Sequence, residues 1–206
     1  RAMPEEVNRV LTDQISERLY ITERMAEENL RQEGIPLDRV CFVGNVMIDA
    51  LRNIEAKAAG SQILLQNGLV SGSYGLLTLH RPENVDDQTV LKSIWSILSE
   101  VSKKIPLVFP VHPRTRAKLD ELGIERTSNI SLIDPIGYID MVALTKNAKL
   151  ALTDSGGVQE ETTALGIPCL TLREQTERPV TVTVGTSEVL GRNREKILDA
   201  VVRVLR

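Results

Sequence analysis

The chain has 206 residues, 42% hydrophobic, 26% charged and 3% aromatic, with a formal net charge of −3. Such a length holds one large domain or a domain with part of another, and the shortage of aromatics calls for an aliphatic core. A faintly acidic chain with scattered basic residues argues against nucleic-acid binding, which needs a basic patch or stripe. No apolar run nears the ~20 residues of a membrane span, and the amino terminus carries no secretory pattern.

From the amino terminus, "PEEVNRVLTDQIS" predicts a helix with Pro4 near its start and Val7, Leu11 and Ile15 on one face. "RLYIT" and "RVCFVGN" predict two strands around a helix in "ERMAEENLRQEG", and "VMIDALRNIEAKAAG" predicts a further helix. "QNGLVSGSYG" has the Gly and Ser content of a linker. Two strands cannot close a sheet by themselves. Residues 1–72 are therefore expected to be the tail of a preceding α/β domain, followed by a second domain over 73–206.

From Tyr74 onward strand-like and helix-like stretches alternate. "YGLLTL", "PLVFPV", "NISLI", "KLALT", "PCLTL" and "VTVTV" (180–184) predict six strands, separated by amphipathic helices and closed by one in "NREKILDAVVRVL". The pattern predicts a doubly wound, six-stranded parallel sheet of Rossmann type in the order 3-2-1-4-5-6. In that order strands one and four adjoin, and ligands bind outside their carboxyl ends. The loops converging there are "HRPEN" (80–84) and "DSGG" (154–157).

The second loop has the makings of an anion site. Ser155 is a natural N-cap, and Gly156 and Gly157 bare the backbone of a helix start whose dipole favours phosphate. Glu161 lies four residues past Gly157, on the same helical face, where a carboxylate can accept from the vicinal hydroxyls of a ribose. Glu160 reads as a solvated residue of that helix. His80 follows a buried strand at the switch point and suits a ligand contact or proton transfer. Arg81 and Arg178 can supply positive charge or serve as surface ion pairs. His112, after strand two, hints at a second ligand position. Glu5 and Glu6 have a bland role available, as acids stabilising a helix's first turn. Cys41 and Cys169 read as small buried hydrophobes of a reducing cytosol, and with two histidines no closed zinc-ligand spacing exists.

Taken together, "PEEVNRVLTD", "GNVMIDAL", "LLTLHRPENVD", "PVHPRT", "LIDPIGYIDMVAL", "LTDSGGVQEETTALGIPCLTLRE" and "TERPVTVTVGTS" resemble the non-hydrolysing UDP-N-acetylglucosamine 2-epimerases of the GT-B fold. The resemblance implies an isomerase with two Rossmann-like domains and its active site in the cleft between them. It implies interconversion of UDP-GlcNAc and UDP-ManNAc through elimination of UDP, a 2-acetamidoglucal intermediate and re-addition, with no cofactor and no metal. By motif, Glu5 looks like a catalytic carboxylate and His80 like the catalytic histidine at the UDP phosphates. Ser155, Gly156 and Gly157 resemble the diphosphate cradle, Glu161 the ribose-binding carboxylate and Arg178 the substrate-site arginine. Ile136 and Met141 of "DPIGYIDM" resemble uracil contacts, and Arg81 and His112 resemble positions that meet a second, activating UDP-GlcNAc. Val180 departs from the Glu that many members have after "TERP", and "GTS" replaces their "GTN".

The resemblance further implies a cytoplasmic homodimer of which this chain is the carboxyl-terminal, UDP-binding part, unable to epimerise alone. A hydrolysing epimerase that releases ManNAc and UDP, and a GT-B glycosyltransferase, are the alternatives.

Overall fold

Short β-branched and aliphatic runs alternate with amphipathic stretches along the whole sequence. The computed structural model, which describes residues 4–124 and 128–206, turns these into strands separated by one or two helices. Contacts divide the chain into two units, residues 1–50 and 51–206.

In the first unit, helix α1 (Pro4–Ile15) begins on a proline, whose fixed φ and missing N–H suit a first helical residue. Strand β1 (Leu19–Ile21), helix α2 (Met25–Gln32) and strand β2 (Val40–Phe42) follow, with β1 and β2 parallel and Leu19 opposite Val40. Their core is small: Leu19, Ile21, Leu30 and Ile35. Polar contacts supplement it. Arg9 pairs with Glu6, with Asp13 at 2.7 Å and with Glu33 at 2.6 Å, and Arg39 reaches the carbonyls of Asp13 and Ser16 at the end of α1. The apolar face of α1 is not buried; Leu11 is 61% and Ile15 87% exposed.

Helix α3 (Val46–Ala58) continues past the division and is followed by the short α4 (Ile63–Gln66). The expected domain boundary at 72/73 differs from the division at 50/51 because residues 51–72 bond into the second unit. Lys146 Nζ lies 2.7 Å from Glu55, Ser61 Oγ donates to Asp140 at 2.5 Å, and Gly72 N–H donates to the Asn147 carbonyl at 2.8 Å.

The second unit then runs β3 (Gly75–Thr78), α5 (Pro82–Val85), α6 (Gln88–Ser102), β4 (Leu107–Pro110), α7 (Pro113–Glu121), β5 (Ile130–Ile133), α8 (Tyr138–Asn147), β6 (Leu150–Thr153), α9 (Gly156–Leu165), β7 (Cys169–Thr171), α10 (Pro179–Thr183), β8 (Ser187–Val189) and α11 (Arg194–Leu205). The sheet order is β5-β4-β3-β6-β7-β8, parallel throughout, which is the expected 3-2-1-4-5-6. Helices on both faces explain why the central strands are apolar on both sides; every residue of β6 is buried. Helix α6 is N-capped by Asp87, whose Oδ1 accepts from Thr89 N–H at 2.8 Å and Val90 N–H at 3.0 Å. It lays Leu91, Ile94, Ile97, Leu98 and Val101 on the sheet beside Ile197 and Val201 of α11.

One expected strand is a helix. "VTVTV" (180–184) alternates like a strand, yet Pro179 starts α10 there and the sixth strand is Ser187–Val189. Only Thr181 of α10 is buried, and its hydroxyl donates to the Arg178 carbonyl at 2.7 Å, a bond that belongs to a turn rather than a ladder. Gly185 makes this route possible. A Cβ there would sit 2.5 Å from the Thr181 carbonyl oxygen and 2.6 Å from Thr163 Oγ1. Gly185→Ala is expected to destabilise the second unit by about 1–3 kcal/mol, because backbone and not a pliant side-chain tip must give way. Urea denaturation checks this, and a variant as stable as wild type would show that α10 moves freely.

Candidate functional site

The site grows from the adjacency of β3 and β6. Thr78 and Thr153 face each other across it, hydroxyl to hydroxyl at 2.5 Å, and Thr153 Oγ1 accepts from Ser155 N–H at 2.9 Å. Directly after β6, Asp154 is completely buried. Its Oδ2 accepts from the backbone N–H groups of His80 at 3.0 Å and Arg81 at 2.9 Å and from Asn84 Nδ2 at 3.2 Å. Its Oδ1 lies 3.0 Å from His80 Nδ1. Burial alone would push this carboxyl up, but hydrogen bonds from His80, Arg81 and Asn84 outweigh it and hold the carboxyl below its ordinary range. One buried carboxylate therefore ties "HRPEN" to "DSGG", and the His80 side chain stays half exposed above it.

Helix α9 presents the second half of the site. Ser155 caps it, its Oγ accepting from Val158 N–H at 3.5 Å. The two glycines differ in their reasons. Gly156 is buried, and a Cβ there would meet Glu177 Oε1 at 2.8 Å, whereas Gly157 is exposed and a Cβ would meet only Ser155 Oγ at 3.9 Å. Gly157 is thus the bare backbone facing open space, and Gly156 admits a neighbouring carboxylate. Gln159, fully buried, ties α9 to "TERP": its Oε1 accepts from Thr176 Oγ1 at 2.7 Å.

The paired glutamates are both buried, which corrects the reading of Glu160 as solvated. Its Oε1 lies 3.3 Å from Arg178 Nε, an ion pair without hydrogen-bond geometry. Glu161 accepts from the Tyr138 hydroxyl at 2.8 Å. Burial raises the Glu161 carboxyl above its ordinary value; the Tyr138 bond opposes this and the nearby Glu160 charge adds to it. The Tyr138 hydroxyl in turn is pushed up to about 12, by burial and then by its bond to Glu161. Tyr138 stands between Ile136 and Met141, both half-buried at the start of α8, so "DPIGYIDM" and the α9 carboxylate meet.

Basic groups gather along the same rim. Arg81 Nη2 donates to Glu177 at 3.0 Å; Arg173 also bonds Glu177, and its Nε lies 3.3 Å from Glu83. Arg81 is thus held in the same loop cluster as Arg178. His112 is elsewhere: it is exposed and N-caps α7, its Nδ1 accepting from Arg114 N–H at 3.3 Å. Glu5 is exposed in the first turn of α1, in the first unit. Four groups escaped the sequence reading: Asp154, Asn84, Gln159 and Tyr138. Only Asp154 left a signal, as a carboxylate that directly follows a wholly buried strand.

Comparison with known proteins bears on this arrangement. The family model described as UDP-N-acetylglucosamine 2-epimerase matches residues 1–206. The UDP-N-acetylglucosamine 2-epimerase of Methanococcus maripaludis is 41% identical over 215 residues, covering 100% of this chain and 59% of that protein. The UDP-2,3-diacetamido-2,3-dideoxy-D-glucuronate 2-epimerase of Pseudomonas aeruginosa is 42% identical, covering 96% of this chain and 55% of its own length. The crystal structure of the Methanocaldococcus jannaschii UDP-GlcNAc 2-epimerase, in complex with UDP-GlcNAc and UDP, superposes with a TM-score of 0.89 at 42% identity, over 100% of this chain and 59% of that one. The chain thus spans a little over half the length of these relatives. With the match running end to end through "HRPEN", "DSGGVQEE" and "TERP", the chain belongs to the UDP-N-acetylglucosamine 2-epimerase family.

Proposed function

We propose that the second unit holds UDP at the β3–β6 switch point, and that the longer protein to which the chain's relatives correspond interconverts UDP-GlcNAc and UDP-ManNAc. The observation that carries this is the placing of three groups by two loops and one helix: His80 on Asp154, the open backbone of Gly157, and Glu161 buried four residues further along. A diphosphate on the start of α9 meets the helix dipole and Ser155, with Arg178 beside it. Glu161 accepts from the ribose hydroxyls, and Ile136 and Met141 flank the uracil.

In the reaction a base removes the C2 proton while the C1–O bond to UDP breaks, leaving a C1–C2 double bond. UDP then adds back as a proton arrives at C2 from the opposite face. No electrons are exchanged with a third party. Glu5 is the carboxylate this chain offers for the proton chemistry, by its place in "PEEVNRVLTD", and His80 handles the departing diphosphate. The same reading takes the enzyme as a cytoplasmic homodimer. Arg81 and His112 are its candidates for contact with a second UDP-GlcNAc.

The test is product analysis on the longer protein supplied with UDP-GlcNAc, together with UDP soaked into crystals. UDP-ManNAc and density over Gly156 and Gly157 are expected. Free ManNAc would make it a hydrolase, sugar transfer to an acceptor a glycosyltransferase, and density elsewhere would refute the site. The 42% identity to the Pseudomonas aeruginosa enzyme makes its diacetamido-glucuronate substrate the second sugar to assay.

A further inference from the structure

We propose that Asp154 is a positioning residue that fixes the tautomer of His80, so that the proton His80 exchanges with a bound ligand is the one on Nε2. The catalytic half of this rests on the reading of His80 given above; the tautomer itself rests on geometry alone.

An ionised carboxylate only accepts hydrogen bonds. Asp154 is completely buried, and its surroundings keep it ionised by turning donors toward it. Oδ2 accepts from His80 N–H, Arg81 N–H and Asn84; Oδ1, which shares the His80 N–H at 3.2 Å, is the oxygen nearest the ring, 3.0 Å from Nδ1. A bare Nδ1 lone pair held that close to an anionic oxygen would be repelled, so the hydrogen belongs on Nδ1. In the neutral ring Nε2 is then the free lone pair, at the half-exposed end of the side chain.

The demand on the carboxylate is specific. The two backbone N–H groups that close the loop need one oxygen, and an asparagine could supply it. An asparagine there would place its NH2 against Nδ1, however, and force the hydrogen onto Nε2. The consequence for chemistry is directional. A ring protonated on both nitrogens can break its Nε2–H bond as a new O–H bond forms on a departing phosphate, and it remains as the neutral Nδ1–H tautomer. In the Asp154→Asn variant the ring would be neutral with its only hydrogen on Nε2. It could still donate a hydrogen bond to phosphate but could not give the proton away. Asp154 thus acts through His80 and not on the ligand, as a buried carboxylate orients the histidine of a catalytic triad.

The chain suits a direct test because it has two histidines, His80 and His112. His112 accepts at Nδ1 from Arg114 N–H, so it is an internal reference of the opposite sense. Long-range proton–nitrogen correlation on the 15N-labelled chain, in the alkaline limit of the titration, is expected to show His80 with hydrogen on Nδ1 and His112 with hydrogen on Nε2. Asp154→Asn should move the His80 hydrogen to Nε2 and leave His112 unchanged. Asn84→Ala, which removes a donor to Asp154 without touching the ring, should leave both tautomers as in wild type. A wild-type His80 with hydrogen on Nε2 overturns the proposal, and so does a folded Asp154→Asn whose His80 keeps the wild-type pattern. Should Asp154→Asn not fold, the wild-type and Asn84→Ala spectra decide. UDP titration of His80→Ala separates the two layers. Unchanged UDP affinity beside the expected tautomers would sink the diphosphate-site reading and leave the Asp154–His80 assignment standing.

Discussion

Glu161→Gln is expected to weaken UDP binding by about 10- to 100-fold, the worth of a charged acceptor shared by two hydroxyls, and at the same time to make the unliganded chain more heat-stable near neutral pH. The two effects have one origin. Burial raises the folded-state pKa of Glu161 above its ordinary value. Folding therefore favours the protonated form, and this group's contribution to stability is fully present below the ordinary carboxylate range. It is lost as pH rises through the raised pKa, because the folded chain must then hold a poorly hydrated anion next to Glu160. Glutamine keeps the shape and can still accept from the Tyr138 hydroxyl, but it carries no charge. Calorimetric titration with UDP and thermal melts across the acid-to-neutral range test both halves. An unaltered UDP affinity would remove Glu161 from the ribose role, and a Glu161→Gln melting temperature that gains nothing on wild type as pH rises would overturn the raised carboxyl. Asp154 has the opposite sign: its depressed pKa contributes stability above the ordinary carboxylate range, lost as pH falls through the folded-state value.

Phe109→Ala is expected to cost about 3–5 kcal/mol, a large part of the ~5–15 kcal/mol that holds a typical domain together. The chain has two phenylalanines. Phe42 is 44% exposed, so Phe109, 1% exposed in β4, is the phenylalanine committed to a core filled mostly by Leu, Ile and Val, with Trp95 as its other aromatic. Branched aliphatic neighbours are short and stiff, so they close poorly over an aromatic-sized void. Urea unfolding followed by circular dichroism should show a lowered midpoint at an unchanged slope. A shift worth less than about 1 kcal/mol would mean that this layer repacks as readily as a surface site.

The sheet order was legible in the sequence because a doubly wound sheet is written as alternation, and alternation survives errors at single elements. The misplaced sixth strand shows this: α10 imitates strand periodicity, yet the neighbouring "SEV" takes the edge position and the order stands. What did not survive was any property set by a distant partner. Glu160 looked solvated because its neighbours on α9 are polar, while its burial and its pairing come from Arg178, eighteen residues on. The hydrogen bonds that residues 51–72 make with α8 were hidden because the linker-like "QNGLVSGSYG" says nothing of them. Tyr138, Gln159 and Asn84 act through side-chain bonds that reach across 17 to 88 residues of sequence. Local pattern cannot report those; the Gly-Gly helix start, being local, it could.

Helix α9 carries the open glycine and the buried glutamate on one rigid rod, and this makes it a gauge. Four residues of α-helix advance about 6 Å, so the backbone separation of Gly157 and Glu161 is fixed and only the Glu161 side chain can adjust it. A ligand engaging both must span that interval between its anionic end and its diol. Inserting one alanine between Gly157 and Glu161 would turn the carboxylate about 100° around the rod, off the face it shares with the helix start.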